Sequence, residues 1–79
     1  MDNPKYDLYY RQIGLNIAYY RKLKNMSQLE LAEKADISRT HLSNIEAPNM
    51  TTSISLEKLF SIADALDISV SKLLEFKVT

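Results

Sequence analysis

The sequence predicts an all-α domain of five helices, and three observations carry that prediction. Apolar residues recur at spacings of three and four, as in Tyr6, Tyr10, Ile13, Ile17 and Tyr20, the period of a helix with one buried face. Serines stand just ahead of such runs, at Ser27, Ser38, Ser55 and then Ser69 or Ser71, where a hydroxyl can accept from an orphan backbone amide. No stretch alternates apolar and polar residues as a half-buried strand would, and no internal repeat is read. The 79 residues make one domain, 1–79, within the range that folds without staples when its core is well packed.

Residues 1–5 are polar, contain Pro4, and read as a flexible N-terminal arm. The first helix follows, with residues 6–12 as an extension ahead of Ile13. Gly14 is the only glycine in the chain. Inside a helix it costs about 1 kcal/mol against alanine, so another element is expected to pack closely over it. Lys22 and Lys24 favour a helix end, and Asn25 suits the left-handed position after it, with Met26 dropping into the core. Two readings fit the tyrosines at 6, 9, 10, 19 and 20. In one, Tyr6, Tyr10 and Tyr20 finish the core with wet hydroxyls; in the other, the extra turn before Ile13 is an interface with another subunit.

Ser27 opens a second helix with Glu30 at the capping-box spacing, and Ser38 opens a third just after Ile37. Ala35, Asp36 and Ile37 leave room only for a tight turn, and Leu31, Ala32, Ala35, Ile37, Leu42 and Ile45 are placed to share a core. Two short helices crossing at roughly 90–120° over such a turn describe a helix-turn-helix. Arg39, Thr40, Ser43 and Asn44 form the outer face of the third helix. Leu23 and Leu29 fall off their core stripes. Pro48 disfavours helix before it and opens a loop, residues 47–53. Ser55, capping without a box partner, starts a fourth helix carrying Leu56, Leu59, Phe60, Ile62, Ala63 and Leu66. A C-terminal helix and tail occupy 70–79, the helix opened by Ser69 or Ser71 and carrying Leu73, Leu74 and Phe76.

The pattern SQ-x-x-LA-x-x-A-x-I-S-x-x-x-L-S-x-IE, over Ser27 to Glu46, closely resembles the DNA-binding helix-turn-helix of the phage-repressor family, the Cro/C1 or Xre type. The resemblance runs from Ile13, Gly14, Ile17 and Arg21 through ISLEKLFSIADALDISVSKLL, roughly residues 13–75. It implies a five-helix, repressor-like DNA-binding domain whose third helix enters the major groove. The positions meeting base edges would be Arg39, Thr40, Ser43 and Asn44. Arg39 can pair bidentately with guanine and Asn44 with adenine, Thr40 can offer a methyl to thymine and Ser43 a hydroxyl. Phosphate contacts would come from Ser27, Gln28 and Ser38 at helix starts and from Lys22 and Lys24. Gln28 could also brace a side chain of the recognition helix. Arg21 and Glu46 would form a structural, partly buried ion pair. The resemblance also implies a homodimer, often formed through the C-terminal helix, on inverted half-sites about 34–36 Å apart; the matching surface is 70–78, with Leu73 and Leu74 expected to close the core and Phe76 and Val78 to meet the partner. Two departures matter: Asp36 stands where glycine is frequent in the turn, and Ala47-Pro48 opens a loop without lysine or arginine.

Composition narrows the function classes. Ten basic and ten acidic residues give zero formal net charge, unusual for a strong nucleic-acid binder. From Arg11 to Met26, however, the charged residues are Arg11, Arg21, Lys22 and Lys24, with no acid among them. With no cysteine, one histidine (His41, read as a surface residue) and no glycine-rich loop, neither a metal, another cofactor nor an enzyme is expected, and no small-molecule site is apparent. No apolar run approaches the roughly 20 residues of a membrane span, and MDNPKYDLYY is no secretion signal, so the expected compartment is the cytoplasm. The expected function is sequence-specific binding of double-stranded DNA in transcriptional regulation, as a dimeric repressor. The alternative is a protein-interaction adaptor with the same fold and weak DNA affinity.

Overall fold

The chain folds into helices placed by a local device used three times. A computed structural model describes residues 4–76, with α1 over Asp7–Leu23, α2 over Gln28–Ala35, α3 over Arg39–Glu46, α4 over Leu56–Leu66 and α5 over Val70–Leu73. Helices α1, α2 and α4 are each followed by a residue in the left-handed region, Asn25 (φ 59°), Asp36 (φ 57°) and Asp67 (φ 57°). Short polar side chains tolerate that conformation better than most. After each comes an apolar residue whose amide turns back to a carbonyl near the helix end: Met26 to Arg21 at 3.0 Å, Ile37 to Ala32 at 3.0 Å and Ile68 to Ala63 at 3.1 Å. These are Schellman stops, and Met26, Ile37 and Ile68 all pack against the core.

A repeat that the sequence reading missed lies in two of these stops. Asp36-Ile37-Ser38 and Asp67-Ile68-Ser69 spell the same tripeptide. Their backbones coincide: Asp36 (57°, 48°) with Asp67 (57°, 46°), and Ser38 (−73°, 148°) with Ser69 (−73°, 147°). In each copy a leucine four residues after the serine, Leu42 or Leu73, is fully buried.

The core gathers Ile13 and Ile17 of α1, Leu31, Ala32 and Ala35 of α2, Leu42 and Ile45 of α3, Leu59, Ile62, Ala63 and Leu66 of α4, and Leu73 of α5. Helix α2 lies on α3 and α4, while α1 lies against α3, α4 and α5. Gly14 is buried where α1 meets the end of α3. A Cβ there would collide with the Ile45 carbonyl oxygen and come within 3.1 Å of its carbon. Among the described residues there is no strand, and no helix is long and apolar enough to cross a membrane.

Pro4–Tyr6 form a 3-10 turn ahead of α1; residues 1–3 of the arm expected over 1–5 lie outside the described residues. Three expectations need correction. Tyr6 is exposed and outside the core, whereas Tyr10 and Tyr20 are half-buried against it. The last helix is a single turn. Asn16 of α1 explains the stop, because its amide donates to the carbonyls of Leu73 at 3.0 Å and Glu75 at 2.9 Å. That bend changes one assignment in the tail: Leu73 is fully buried as expected, but Leu74, also expected inside, is 41% exposed. Phe76 is half-buried against the core and stacked on Tyr9 with ring centroids 5.3 Å apart. Val78 lies outside the described residues.

Candidate nucleic-acid interface

The start of α2 is built as a capping box. The Ser27 hydroxyl accepts from the Glu30 amide at 3.0 Å, and the Ser27 amide donates to Glu30 Oε1 at 2.8 Å. The Ser27 backbone, then its hydroxyl, hold the Glu30 carboxyl below its ordinary pKa, with a smaller contribution from Lys34. The amides of Gln28 and Leu29 remain at the positive end of the helix, where an anion is favoured. Lys22 and Lys24, both exposed, sit just ahead, in the last turn and C-cap of α1. The Schellman stop at Asn25 thus gathers two cations and a helix start at one corner.

Helix α3 opens at Ser38, whose hydroxyl accepts from the His41 amide at 3.0 Å. Leu42 and Ile45 anchor its inner face in the core. Arg39, Thr40 and Ser43 are exposed on the outer face and Asn44 is half-buried beside them. The spacing i, i+1, i+4, i+5 keeps all four on one side. His41 is half-buried.

The far end of α3 is fixed by charge. Arg21 Nε donates to Glu46 Oε2 at 2.8 Å and a terminal nitrogen to Oε1 at 2.9 Å, while the other donates to the Met26 carbonyl at 2.8 Å. Gln28 Nε2 also donates to Glu46 Oε1 at 2.9 Å. Both side chains of the ion pair are nearly buried, at 11% and 5% exposure, and no buried side-chain nitrogen or oxygen among the described residues lacks a partner. One carboxylate therefore ties together the end of α1, the start of α2 and the end of α3. One proton on Gln28 Nε2, and its Oε1, are left over for a further partner.

Two contacts of the loop between α3 and α4 escaped the sequence reading. Thr52 donates its hydroxyl to the Asn44 carbonyl at 3.2 Å, and Arg11 Nε donates to Thr51 Oγ1 at 3.1 Å. The loop carries no cation of its own, but α1 lends it one. The only signal for Arg11 was its place in the acid-free stretch; its partner lies 40 residues away.

Residues 17–73 match the family model described as helix-turn-helix. SinR, an HTH-type transcriptional regulator of Bacillus subtilis (strain 168), is 45% identical over 65 residues, which cover 82% of this chain and 58% of that protein. The chain thus spans little more than half the length of that relative. An immunity repressor protein of Bacillus phage phi105 is 41% identical over 59 residues, 75% of this chain and 40% of the repressor. A crystal structure of SinR in complex with DNA superposes with a TM-score of 0.73 at 44% identity, covering 80% of this chain and 98% of that one. Extent and identity together decide the matter: the chain belongs to the Cro/C1-type (Xre) helix-turn-helix family.

Proposed function

We propose that the chain is a sequence-specific reader of double-stranded DNA in transcriptional regulation, a repressor acting as a dimer on inverted-repeat operators. The observation that carries this reading is α3: two core anchors beneath, and Arg39, Thr40, Ser43 and Asn44 together on the opposite side. A helix of that width fits the major groove, where Arg39 would pair with guanine and Asn44 with adenine, with Thr40 and Ser43 adding a methyl and a hydroxyl. Ser27, Gln28 and Ser38 at the two helix starts, with Lys22 and Lys24, would hold phosphates and set the register without reading sequence. Arg11 joins them as a cation beside the third-to-fourth helix loop. The relatives support the regulatory role, since SinR is a transcriptional regulator and its solved complex contains DNA.

Selection from randomised duplex DNA, run on the chain and on Arg39→Ala, tests the reading. An inverted repeat with half-sites one turn apart is expected, with loss of roughly 1–3 kcal/mol of discrimination at one guanine in the variant. Arg11→Ala should leave the selected sequence unchanged and lower the salt slope by about one. Failure to enrich any sequence at low salt would overturn the reading in favour of a protein-interaction adaptor. Zero net charge and the cation-free 47–55 loop favour that second reading.

A further inference from the structure

Helix α1 is apolar on two sides. One side, with Ile13, Ile17 and the buried Gly14, faces the core. On the other, Leu8 is 72% exposed, Leu15 45%, Tyr19 60% and Leu23 60%. These four fall within an arc of about 80° and run about 22 Å along the axis at 100° and 1.5 Å per residue. Eleven large apolar side chains are exposed among the described residues, and five of them, these four and Tyr9, belong to this helix. Exposed apolar side chains gathered on one face, rather than scattered singly, mark an interaction surface.

The neighbouring C-terminal turn indicates what covers it. Leu15 and Tyr19, with Gln12 and Asn16, line a cleft of about 380 Å³ whose other wall carries Lys72 and Glu75. Neither charge is paired among the described residues. A surface carrying one cation and one anion beside an apolar stripe is self-complementary. Under a two-fold axis each contact occurs twice, so Lys72 can meet Glu75 of the partner subunit while Glu75 meets the partner's Lys72. A different protein would have to bring a matched anion and cation in the same arrangement.

We propose that the outer face of α1 and the adjoining Lys72–Glu75 turn form a two-fold interface with a second copy of this chain. The proposal rests on the dimeric reading above and assigns its surface. Helix α1 supplies the apolar contact, and the reciprocal charge pairs set orientation.

Sedimentation equilibrium on the whole chain tests it without DNA. The unmodified chain should sediment at about twice its 9.1 kDa mass at micromolar concentration. Leu15→Glu and Leu23→Glu each replace an exposed side chain with a good helix former, so helicity should persist while the species becomes monomeric. Lys72→Glu should weaken dimerisation about tenfold or more, and Lys72→Glu with Glu75→Lys should restore it. Three results would overturn the assignment: a monomeric unmodified chain, a dimer that survives both leucine substitutions, or a double charge swap no better than Lys72→Glu alone. The outcome is separable from the operator reading. A chain that dimerises through this face and enriches no DNA would sink that reading while the interface stood.

Discussion

The turns Asp36-Ile37-Ser38 and Asp67-Ile68-Ser69 have one sequence and one backbone, yet they lead into very different helices. The first opens an eight-residue helix, α3; the second opens four residues, α5. At the first, the serine hydroxyl accepts from the His41 amide, whereas at the second no side-chain cap forms and Ser69 and Ser71 pair their hydroxyls at 2.7 Å. Beyond the first turn the helix runs on to Glu46, which Arg21 and Gln28 hold. Beyond the second, Asn16 captures two carbonyls and bends the chain away after one turn. The lesson concerns range. Residues i to i+4 decide that α3 and α5 start and how they are entered; partners tens of residues away hold their far ends, whereas α1, α2 and α4 end on local stops.

Four perturbations break or sharpen that contrast. The largest effect is expected at the long-range end of the first unit. Glu46→Ala strands a buried Arg21 and should cost about 3–5 kcal/mol in denaturant unfolding; a loss below about 1 kcal/mol would mean the pair does not anchor α3. Next comes the long-range end of the second unit. Asn16→Ala removes two hydrogen bonds to carbonyls and should cost about 1–2 kcal/mol, with amide exchange quickening around 70–76 before the rest of the domain. The local ends should differ most clearly. Ser38→Ala is expected to cost about 1 kcal/mol and Ser69→Ala only a few tenths, because only the first serine caps. Equal losses would erase the distinction between the two turns.

The smallest effect is a slope with pH. Glu30 titrates below its ordinary value in the folded chain because Ser27 donates to its carboxylate. Its contribution is therefore fully present above the unfolded-state pKa and disappears as pH falls through the lowered folded value. Glu30→Gln keeps the spacing and acceptor of the capping box and should flatten that part of the acid limb of the stability profile. An unchanged acid limb would show that this carboxylate does not contribute to it.

The same distinction explains what the sequence disclosed. The capping box, the left-handed Asn25 and Asp36, the two short helices and their shared core were legible, because each is written within a few consecutive residues. Gly14 was legible as a place of close approach, though what approaches it, the Ile45 carbonyl, was not. The Arg21–Glu46 pair spans 25 residues and was reached only through the family resemblance. Leu74 was misplaced because spacing assigns faces correctly only while the helix continues. Asn16, 57 residues from Leu73, stops it without leaving a local trace. Arg11 and Thr51 were missed for the same reason.

The contact at Gly14 has a mechanical consequence. Side chains between packed helices usually absorb small displacements by changing rotamer, but here backbone meets backbone with nothing compliant between. Arg21 and Glu46 clamp the same two helices two turns further along α1 and one residue further along α3. Helices α1 and α3 therefore move as one rigid strut. With a second copy docked on the outer face of α1, as proposed above, the angle and distance between the two α3 helices would be set by that interface and this joint together. Such a pair works like a fixed-gauge caliper. Inserting one base pair between half-sites moves the second by about 3.4 Å and about a tenth of a turn, a mismatch that a stiff caliper cannot follow and that a jointed one would.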